Sequence, residues 1–415
     1  MREGWKTAKL GDVINIQSGF AFKSSEYAQQ GHFLVRIGNV QSEGLSLEKP
    51  KYVKLDSRTR RFELNEGDVV TSLTGNIGRV ALVEKHHLPA ALNQRVARLT
   101  VDDSKRISWR FLYYFLTSEF FRCALNSTAH GVAQKNVSPK AIESIPISLP
   151  PLPEQKRIVA ILDEAFAGIA TAVANTEKNL ANARELFESY LNALLTQRGE
   201  GWVDKALKDV CEFSSGGTPS KKNVSYWNGE IPWVSGRDMK STQLSDSQLH
   251  VSKAAIEESA TRLAPAGSLL VLVRGMGLAH GAQVAELMVP CAFNQDIKGI
   301  HPKPDLIPRF LVFMLRNQIN ASNNVLSRAA HGTLKINADA MKALRIQIRP
   351  YDEQLQVVAK IDTLKEDTER LESLYQQKLT ALAELKQSLL QKAFSGELTA
   401  GKEASDAIRK AEEVA

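Results

Sequence analysis

Two long segments with the same heptad pattern constrain this chain more than any other feature. They span residues 151–198 and 350–396. Each has proline at its entrance, where a helix tolerates it, and none afterwards for about 40 residues. Apolar residues then recur in alternating steps of four and three, which predicts a long helix with a seam for a partner helix. The predicted seam of the first segment comprises Ile158, Leu162, Ala165, Ile169, Ala172, Thr176, Asn179, Ala183, Leu186 and Tyr190.

The helices belong to an internal repeat that covers the whole chain. Matched residues lie 197 to 201 positions apart, namely Trp5 and Trp202, Asn93 and Asn294, Arg110 and Arg309, Gln155 and Gln354, and Asp163 and Asp362. Such a period indicates an internal duplication of one structural unit, which consists of a domain of about 150 residues followed by a helix of about 40.

Each domain is predicted to mix strands and helices. The expected elements are buried strands at 68–73 and 268–273, amphipathic helices at 110–124 and 309–320, and closing strands at 145–149 and 344–348. Between these anchors the two domains differ markedly in sequence. One scaffold is therefore predicted to carry two different surfaces.

Chain connectivity decides how the helices run. Only residues 199–201 separate the first helix from the second domain. A domain of this size is roughly 40 Å across, whereas the helix is roughly 60 Å long, so antiparallel pairing needs the least reach. The predicted fold class is α+β, with two mixed α/β domains, 1–150 and 199–349, separated by an antiparallel coiled coil and followed by a tail, 397–415. The alternative is that each helix lies on its own domain.

Composition adds weaker limits. Hydrophobic residues make up 43% of the 415 residues, which is ordinary for a globular protein. The three cysteines are far apart and suggest neither disulfides nor zinc. Neither a signal peptide nor a membrane span is predicted, so the cytoplasm is the expected location. A net charge of +7 is compatible with a polyanionic partner, although many basic proteins have none.

The helix entrances and one helix end carry a family resemblance. They are Leu152-Pro153-Glu154-Gln155, its counterpart Asp352-Glu353-Gln354, and the phrase at 388–398, SLLQKAFSGEL. With the doubling, they make the chain resemble the specificity subunit of type I restriction-modification enzymes over essentially its full length. Tyr351-Asp352 and the end of the first helix depart mildly from the family pattern.

The resemblance implies a subunit that reads a split DNA sequence, with one domain for each half-site and the helices setting the gap. It also implies assembly with two DNA adenine methyltransferase subunits and two restriction and translocase subunits. Methyl donor, ATP and magnesium would belong to those partners, so no cofactor is expected in this chain.

The residues themselves also argue against catalysis. The chain has no Asn/Asp-Pro-Pro-Tyr/Phe run for a target adenine and no His-Glu-x-x-His zinc motif. Residues 396–402 match the first part of a phosphate-binding loop, but Glu403 replaces the required Ser or Thr. The alternatives to a non-catalytic DNA reader are a two-headed protein-interaction scaffold and, less favoured, a self-sufficient nuclease or methyltransferase.

Candidate DNA contacts are basic and amide residues in predicted loops, because Arg and Lys suit phosphates and guanine while Asn suits adenine. They are Lys23, Arg36, Asn39, Asn76, Arg79, Arg95 and Lys135 in the first domain, and Lys221, Lys222, Arg237, Lys240, Arg274 and Lys335 in the second. Each has the alternative of being an ordinary surface residue. The Asn-Gln pairs at 93–94 and 294–295 occur in both copies, which favours a shared structural role. His130 and His331 also recur, which favours a role in the common scaffold or a phosphate contact over base specificity.

The first helix carries a second apolar row that a two-helix seam cannot cover. Its candidate subunit-interface residues are Phe166, Val173, Leu180 and Phe187. We expect the row to dock either a methyltransferase subunit or one of the chain's own domains.

Overall fold

The computed structural model describes residues 4–41, 44–102, 106–128, 136–197, 199–321, 326–328 and 334–400. The chain divides into two compact units. Unit 1 contains residues 1–179 and 374–415, and unit 2 contains residues 180–373. Each unit therefore takes one domain, part of the first long helix and part of the second. Lys135, His130 and His331 lie outside the described residues, as does the tail beyond Ala400.

The domain of unit 1 is built from short strands and short helices. Its strands are β1 Lys6–Lys9, β2 Ile14–Ser18, β3 Tyr27–Ala28, β4 His32–Val35, β5 Val40–Gln41, β6 Gly44–Leu45, β7 Tyr52–Val53, β8 Glu63–Leu64, β9 Val69–Ser72, β10 Val80–Leu82, β11 Ala90–Leu92, β12 Val96–Val101 and β13 Pro146–Leu149. Its helices are α1 Trp109–Thr117, α2 Glu119–Ser127 and α3 Pro139–Glu143, and the long helix α4 Leu152–Thr196 follows.

The domain of unit 2 repeats this plan. Its strands are β14 Val203–Ala206, β15 Cys211–Ser215, β16 Ile231–Val234, β17 Gln243–Leu244, β18 His250–Val251, β19 Leu263–Ala264, β20 Leu269–Leu272, β21 Val284–Leu287, β22 Cys291–Phe293, β23 Ile297–Pro302, β24 Leu326–Arg328, β25 Leu334–Ile336 and β26 Arg345–Ile348. Its helices are α5 Leu207–Val210, α6 Lys253–Glu258, α7 Pro308–Ala321 and α8 Ala338–Lys342, and the second long helix is α9 Tyr351–Ser395.

Equivalent sheets organise the two domains. In unit 1 one sheet has the antiparallel order β10-β9-β12-β2, and the other, β3-β7-β4-β11-β8, pairs β4 and β11 in parallel. In unit 2 the core of the first sheet recurs as β21-β20-β23-β15, and the parallel pair recurs as β16 and β22. The first strand of each domain pairs with its closing strand, β1 with β13 and β14 with β26. The mixed α+β character and the internal repeat are confirmed.

A buried glutamine attaches the first long helix to the domain of unit 1. The Gln155 side chain is fully buried. Its Oε1 accepts a hydrogen bond from the backbone N–H of Ser108 at 2.8 Å, and its Nε2 donates to the carbonyls of Arg106 at 2.9 Å and Pro150 at 2.8 Å. Ser108 immediately precedes α1. One side chain thus joins the end of the closing strand, the start of α1 and the first turn of α4.

Gln354 makes the same three bonds in unit 2. It is also fully buried. Its Oε1 accepts from the N–H of Ile307 at 2.9 Å, and its Nε2 donates to the carbonyls of Asp305 at 3.0 Å and Arg349 at 2.9 Å. The glutamine of the Glu-Gln helix entrance therefore serves as a fixed joint between domain and helix in both units.

An ion pair adds a second attachment on each helix, about two turns after the buried glutamine. Arg110 of α1 donates to Asp163 of α4 at 2.7 Å, and Arg309 of α7 donates to Asp362 of α9 at 2.6 Å. In unit 1 the hydroxyl of Tyr114 also donates to Asp163. Burial raises the pKa of Tyr114 to about 12, so this phenol remains a hydrogen-bond donor at neutral pH.

The long helices run antiparallel within each unit. In unit 1 Glu154 of α4 contacts Thr399, just beyond the end of α9, and Phe166 lies 5.3 Å from the ammonium of Lys386. In unit 2 Arg184 donates to Glu372 at 2.8 Å, while Leu194 shares a core with Val357 and Ile361. Rising numbers on α4 meet falling numbers on α9, which confirms the antiparallel pairing.

The predicted seam is buried in unit 1 but does not continue into unit 2. From Ile158 to Thr176 its members are at most 5% exposed, whereas Leu186 is 66% and Tyr190 is 45% exposed. Leu191, Leu194 and Leu195 pack into the core of unit 2 instead. A helix with 3.6 residues per turn drifts by about 20° per heptad against a strict seven-residue repeat, so one heptad row cannot face inward along its whole length.

By length and composition alone, one helix in the described part of the chain could cross a membrane. This helix is α4, whose most apolar 18-residue window has a mean hydropathy of 1.5. A third of that window is buried in the structure. Packing in unit 1 accounts for much of the apolar character, because Ile158, Leu162 and Ala165 belong to its core.

Removing either glutamine joint should destabilise the unit that contains it. Gln155→Ala and Gln354→Ala should each lower the free energy of unfolding by about 2–4 kcal/mol, because a buried N–H and two carbonyls lose their partner. Gln356→Ala, at an exposed position of α9, is the matched control and should change it by less than about 0.5 kcal/mol. Urea denaturation measures these values, and joint variants as stable as the control would contradict the assignment.

Candidate nucleic-acid interface

Four segments of the first domain meet in what we call the first loop cluster, residues 19–20, 73–79, 93–95 and 136–137. Backbone hydrogen bonds join them. Leu73 donates to the carbonyl of Arg95 at 2.8 Å and accepts from Val137 at 2.9 Å, and Phe20 donates to the carbonyl of Leu92 at 3.1 Å. Main-chain groups therefore make the bonds that join the four segments, and the Ser72 hydroxyl adds a bond to the carbonyl of Asn76.

The second domain contains an equivalent second loop cluster, residues 216–218, 273–277, 294–296 and 334–336. Val273 donates to the carbonyl of Asp296 at 2.8 Å and accepts from Ile336 at 2.9 Å, and Gly217 donates to the carbonyl of Phe293 at 2.9 Å. Each of these bonds matches one in the first cluster at an offset of 197 to 201 residues. The two clusters are one backbone framework built twice.

A glycine is required at the same place in both clusters. A Cβ on Gly19 would lie 2.1 Å from the carbonyl oxygen of Asn93, and a Cβ on Gly216 would lie 2.3 Å from that of Asn294. Only glycine permits so close an approach. The Asn residues also hold neighbouring strands through their N–H groups, which bond Val35 and Val234. These contacts fit the shared structural role expected of the two Asn-Gln pairs.

Most predicted contacts of the first domain lie at or beside this cluster. Lys23, Asn76 and Arg95 are exposed. Arg95 sits in the turn between β11 and β12 with a positive φ of 70°. Arg36 and Arg79 are half-buried. Arg36 donates to the carbonyl of Lys49 at 3.0 Å, and Arg79 donates to Oε1 of Gln41 at 2.5 Å.

The structure buries Asn39, which the sequence predicted to be an exposed DNA contact. This residue is only 2% exposed. Its Oδ1 accepts from the N–H of Arg36 at 3.2 Å, and its Nδ2 donates to the carbonyl of Ser46 at 3.0 Å. Its amide therefore holds the loop after β4 together and is not available to a base edge on the surface. The sequence alone could not distinguish a loop amide that faces inward from one that faces solvent.

The predicted contacts of the second domain are all exposed. Lys221 and Lys222 lie in the loop between β15 and β16, and Arg237 and Lys240 lie in the turn that follows β16. That turn is held by Asp238, whose carboxylate accepts from the N–H and the hydroxyl of Ser235, both at 2.8 Å.

Arg274 and Lys335 face each other in the second loop cluster. They form an isolated antiparallel bridge, where the first cluster has Thr74 and Asn136. A guanidinium nitrogen of Arg274 lies 3.7 Å from a carboxylate oxygen of Asp296. The same backbone positions thus carry the buried Thr74 and the exposed Asn136 in the first domain, and two exposed cations in the second.

Sequence reasoning missed two residues that shape these surfaces. Gln41 orients Arg79, and nothing in the sequence pointed to it. Asp296 lies 201 positions after Arg95, directly behind the second Asn-Gln pair. The repeat could have identified Asp296, because the same backbone position carries opposite charges in the two domains.

The predicted subunit-interface row is partly covered by its own unit. The ring of Phe166 packs edge-on against Tyr114 with centroids 5.3 Å apart, and Val173 also borders the core of unit 1. Leu180 and Phe187 are half-buried. Phe187 lines a cleft beside Phe313 of α7 in unit 2. At Phe166 the structure shows an intramolecular contact, one of the two arrangements expected for the row.

Comparison with known proteins places this architecture in a family. The family model described as "Type I restriction modification DNA specificity domain" matches residues 2–180 and 199–381, once in each half of the chain. Both matches include a loop cluster and a long-helix segment.

Curated relatives agree with the family model. The chain is 30% identical to the EcoR124I/EcoR124II type I restriction enzyme specificity subunit of Escherichia coli over 63% of this chain and 65% of that protein. It is 24% identical to the StySPI specificity subunit of Salmonella potsdam over 96% of this chain and 90% of that protein.

Solved structures share the fold. One chain comes from work on the "complex assembly" and "conformational transition of the type I R-M system"; it is 19% identical, has a TM-score of 0.75 and aligns over 96% of this chain and 99% of its own length. The HsdS subunit from Thermoanaerobacter tengcongensis is 19% identical, has a TM-score of 0.58 and aligns over 95% and 98%. The doubled sequence, the doubled framework and these matches together show that the chain belongs to the type I restriction-modification DNA specificity subunits, the non-catalytic recognition subunits of type I restriction enzymes.

Proposed function

We propose that the chain reads a bipartite DNA target, with residues 1–150 recognising one half-site and residues 199–349 the other. The observation that carries this proposal is the pair of loop clusters, which share a backbone framework and differ in side-chain chemistry. A shared framework gives both domains the same way of approaching a duplex. Different side chains give them different bases to read.

The side chains available at the clusters and in neighbouring loops suit base edges and phosphates. Arg95 and Arg274 can donate to guanine, Asn76 can pair with adenine, and Asp296 can accept from cytosine. Lys23, Lys221, Lys222, Lys240 and Lys335 can contact phosphates without sequence preference. The net charge of +7 favours association with a polyanion.

The long helices would hold the two readers apart and bind the catalytic partners. We propose assembly with two DNA methyltransferase subunits and, in the full complex, two restriction and translocase subunits, acting in the cytoplasm. Leu180 and Phe187 remain candidates for this interface, and the exposed Leu186 and Tyr190 on the same helix extend it. Tyrosine is one of the residues that most often anchor protein interfaces.

The proposal is tested by identifying the DNA target and then altering each of its halves, and the gap between them, separately. Methylation-sensitive sequencing of DNA from cells that carry this chain with its methyltransferase gives the modified sequence. The affinity of the full-length chain is then measured for duplexes with the intact target, with either half-site scrambled, and with the gap lengthened. A bipartite reader loses affinity with each scrambled half-site. A contiguous target, or salt-independent binding to any duplex, would contradict it.

Phosphate contacts in the second domain are tested with Lys221→Ala/Lys222→Ala. This double variant should weaken binding to all duplexes to a similar degree and reduce the slope of log affinity against log salt by roughly 2. Lys205→Ala/Lys208→Ala is the control, because it removes the same charge from exposed positions on β14 and α5 and not from the loop between β15 and β16. Equal effects of the two pairs would show that net charge alone, and not the loop, determines binding.

The framework itself is tested with Gly19→Ala. The added methyl group collides with the carbonyl of Asn93, so the first loop cluster must distort, and affinity for the first half-site should fall by at least about tenfold. Gly38→Ala is the control, because its Cβ would meet no atom within 4 Å. Binding measured on a duplex with the second half-site scrambled isolates the first domain. Unchanged affinity of the Gly19 variant would separate this cluster from DNA reading.

The partner surface is tested with Leu186→Ala/Tyr190→Ala. These side chains are largely exposed, so the fold measured by circular dichroism should be retained, whereas affinity for the methyltransferase subunit should fall by about tenfold or more. Glu185→Ala, exposed on the same helix, is the control. Sedimentation of the mixed subunits reports assembly, and wild-type assembly by the double variant would place the interface elsewhere.

A further inference from the structure

Arg349 is a buried cation that the shared framework does not require. It lies between β26 and α9 and is only 4% exposed. Burial lowers the pKa of its guanidinium, which nevertheless remains charged because arginine does not lose its proton in proteins. The glutamine joint uses only the backbone carbonyl of Arg349. The side chain has a separate set of contacts.

These contacts join three segments of unit 2. The guanidinium carbon lies over the ring of Trp202, 3.7 Å from its centroid, and the guanidinium donates to the carbonyl of Leu194 in the last turn of α4. The indole N–H of Trp202 donates in turn to a carboxylate oxygen of Glu353, in the first turn of α9, at 2.7 Å. Arg349 thus connects the end of one long helix, the entrance to the second domain and the start of the other helix.

A cation suits the end of α4. The last carbonyls of a helix have no partner within it and carry the negative end of its dipole. Leu194 supplies one of these carbonyls. The ring of Trp202 covers the guanidinium from one side and adds a favourable cation–π contact.

Unit 1 has no such cation at the matching place. Pro150 occupies the position 199 residues before Arg349, and Trp5, the counterpart of Trp202, borders an apolar core. Glu154, the counterpart of Glu353, accepts from the hydroxyl of Thr399 instead. In unit 2 the end of α4 leads directly into the domain, through a linker that includes Gly199 and Gly201.

Stability alone does not account for Arg349. Removing an arginine from water is costly, and well-packed apolar replacements of buried charges are often equally or more stable. Its Nε is buried and has no hydrogen-bond partner among the described residues. A buried charge with directional bonds can instead select one geometry over others, as buried polar groups do in some helical assemblies.

We propose that Arg349 is a positioning residue that fixes the direction in which the second recognition domain leaves α4, and so helps to set the gap between the half-sites. This inference rests on the proposed bipartite reading. One added base pair shifts a half-site by about 3.4 Å and turns it by roughly 35° about the duplex axis. A domain that is free to change direction at its junction with the helix would tolerate such a shift, whereas a fixed domain would not.

The test measures discrimination between gaps and not affinity alone. Arg349→Met removes the charge and keeps a long side chain, and Arg345→Met, exposed on β26, is the matched control. Each full-length variant is bound to duplexes with the natural gap and with one base pair more or fewer. We expect Arg349→Met to reduce the preference for the natural gap by at least about threefold, and the control to keep it.

Two further variants keep the test decisive if Arg349→Met folds poorly. Arg349→Lys keeps the charge without the flat guanidinium, and Trp202→Phe keeps a ring but loses the bond to Glu353. Both should reduce the gap preference. A merely structural role would weaken binding to all three duplexes equally and leave the preference unchanged, which would overturn the proposal. If the wild-type chain itself shows no gap preference, the bipartite reading fails instead.

Discussion

The attachment of each domain to its long helix depends on one fully buried glutamine. Gln155 and Gln354 each satisfy one backbone N–H and two backbone carbonyls at the point where closing strand, short helix and long helix meet. Every partner is a main-chain group, so the joint does not depend on the side chains around it. This independence lets the rest of each domain change sequence while the helix keeps its place, and it gives the Glu-Gln helix entrance a physical reason.

In the loop clusters, too, main-chain bonds join the loops in the same way in both domains while the side chains differ. Backbone hydrogen bonds and a glycine at close approach set the loop positions in both domains. The side chains carried by those loops are then free to differ. Buried, hydrogen-bonded backbone groups strongly disfavour other arrangements, because an unpaired group is costly. A recognition protein gains from this division, since new side chains can be placed on an unchanged frame.

The sequence predicted the large-scale organisation better than the surfaces. The repeat offset led directly to two equivalent domains, and the short linker before Trp202 led to antiparallel helices, because both inferences rest on chain length and periodicity. The heptad seam was wrong beyond Thr176, where the drift of a 3.6-residue helix turns Leu186 and Tyr190 outward. Asn39 was misassigned because periodicity does not indicate which way a loop amide points. Several backbone bonds of the clusters join residues that are far apart in the chain, such as Gly19 and Val96 or Leu73 and Val137, and they leave no local pattern that a single sequence reveals.

The two loop clusters carry opposite charges at one equivalent backbone position, so this position cannot have the same role in both domains. The backbone carbonyls of Arg95 and Asp296 accept equivalent hydrogen bonds from the N–H groups of Leu73 and Val273, the residues that follow β9 and β20. The side chain of Arg95 is nevertheless a cation and that of Asp296 an anion. A phosphate contact common to both domains cannot involve this position, because a carboxylate near a phosphate is repelled by about 1 kcal/mol at 4 Å even in water. What the domains share must therefore lie in the frame and in other cations. Under the proposed bipartite reading, side chains at positions such as this one would carry the difference between the half-sites. Asp296 beside Arg274 gives the second domain an acceptor that the first domain lacks at that place.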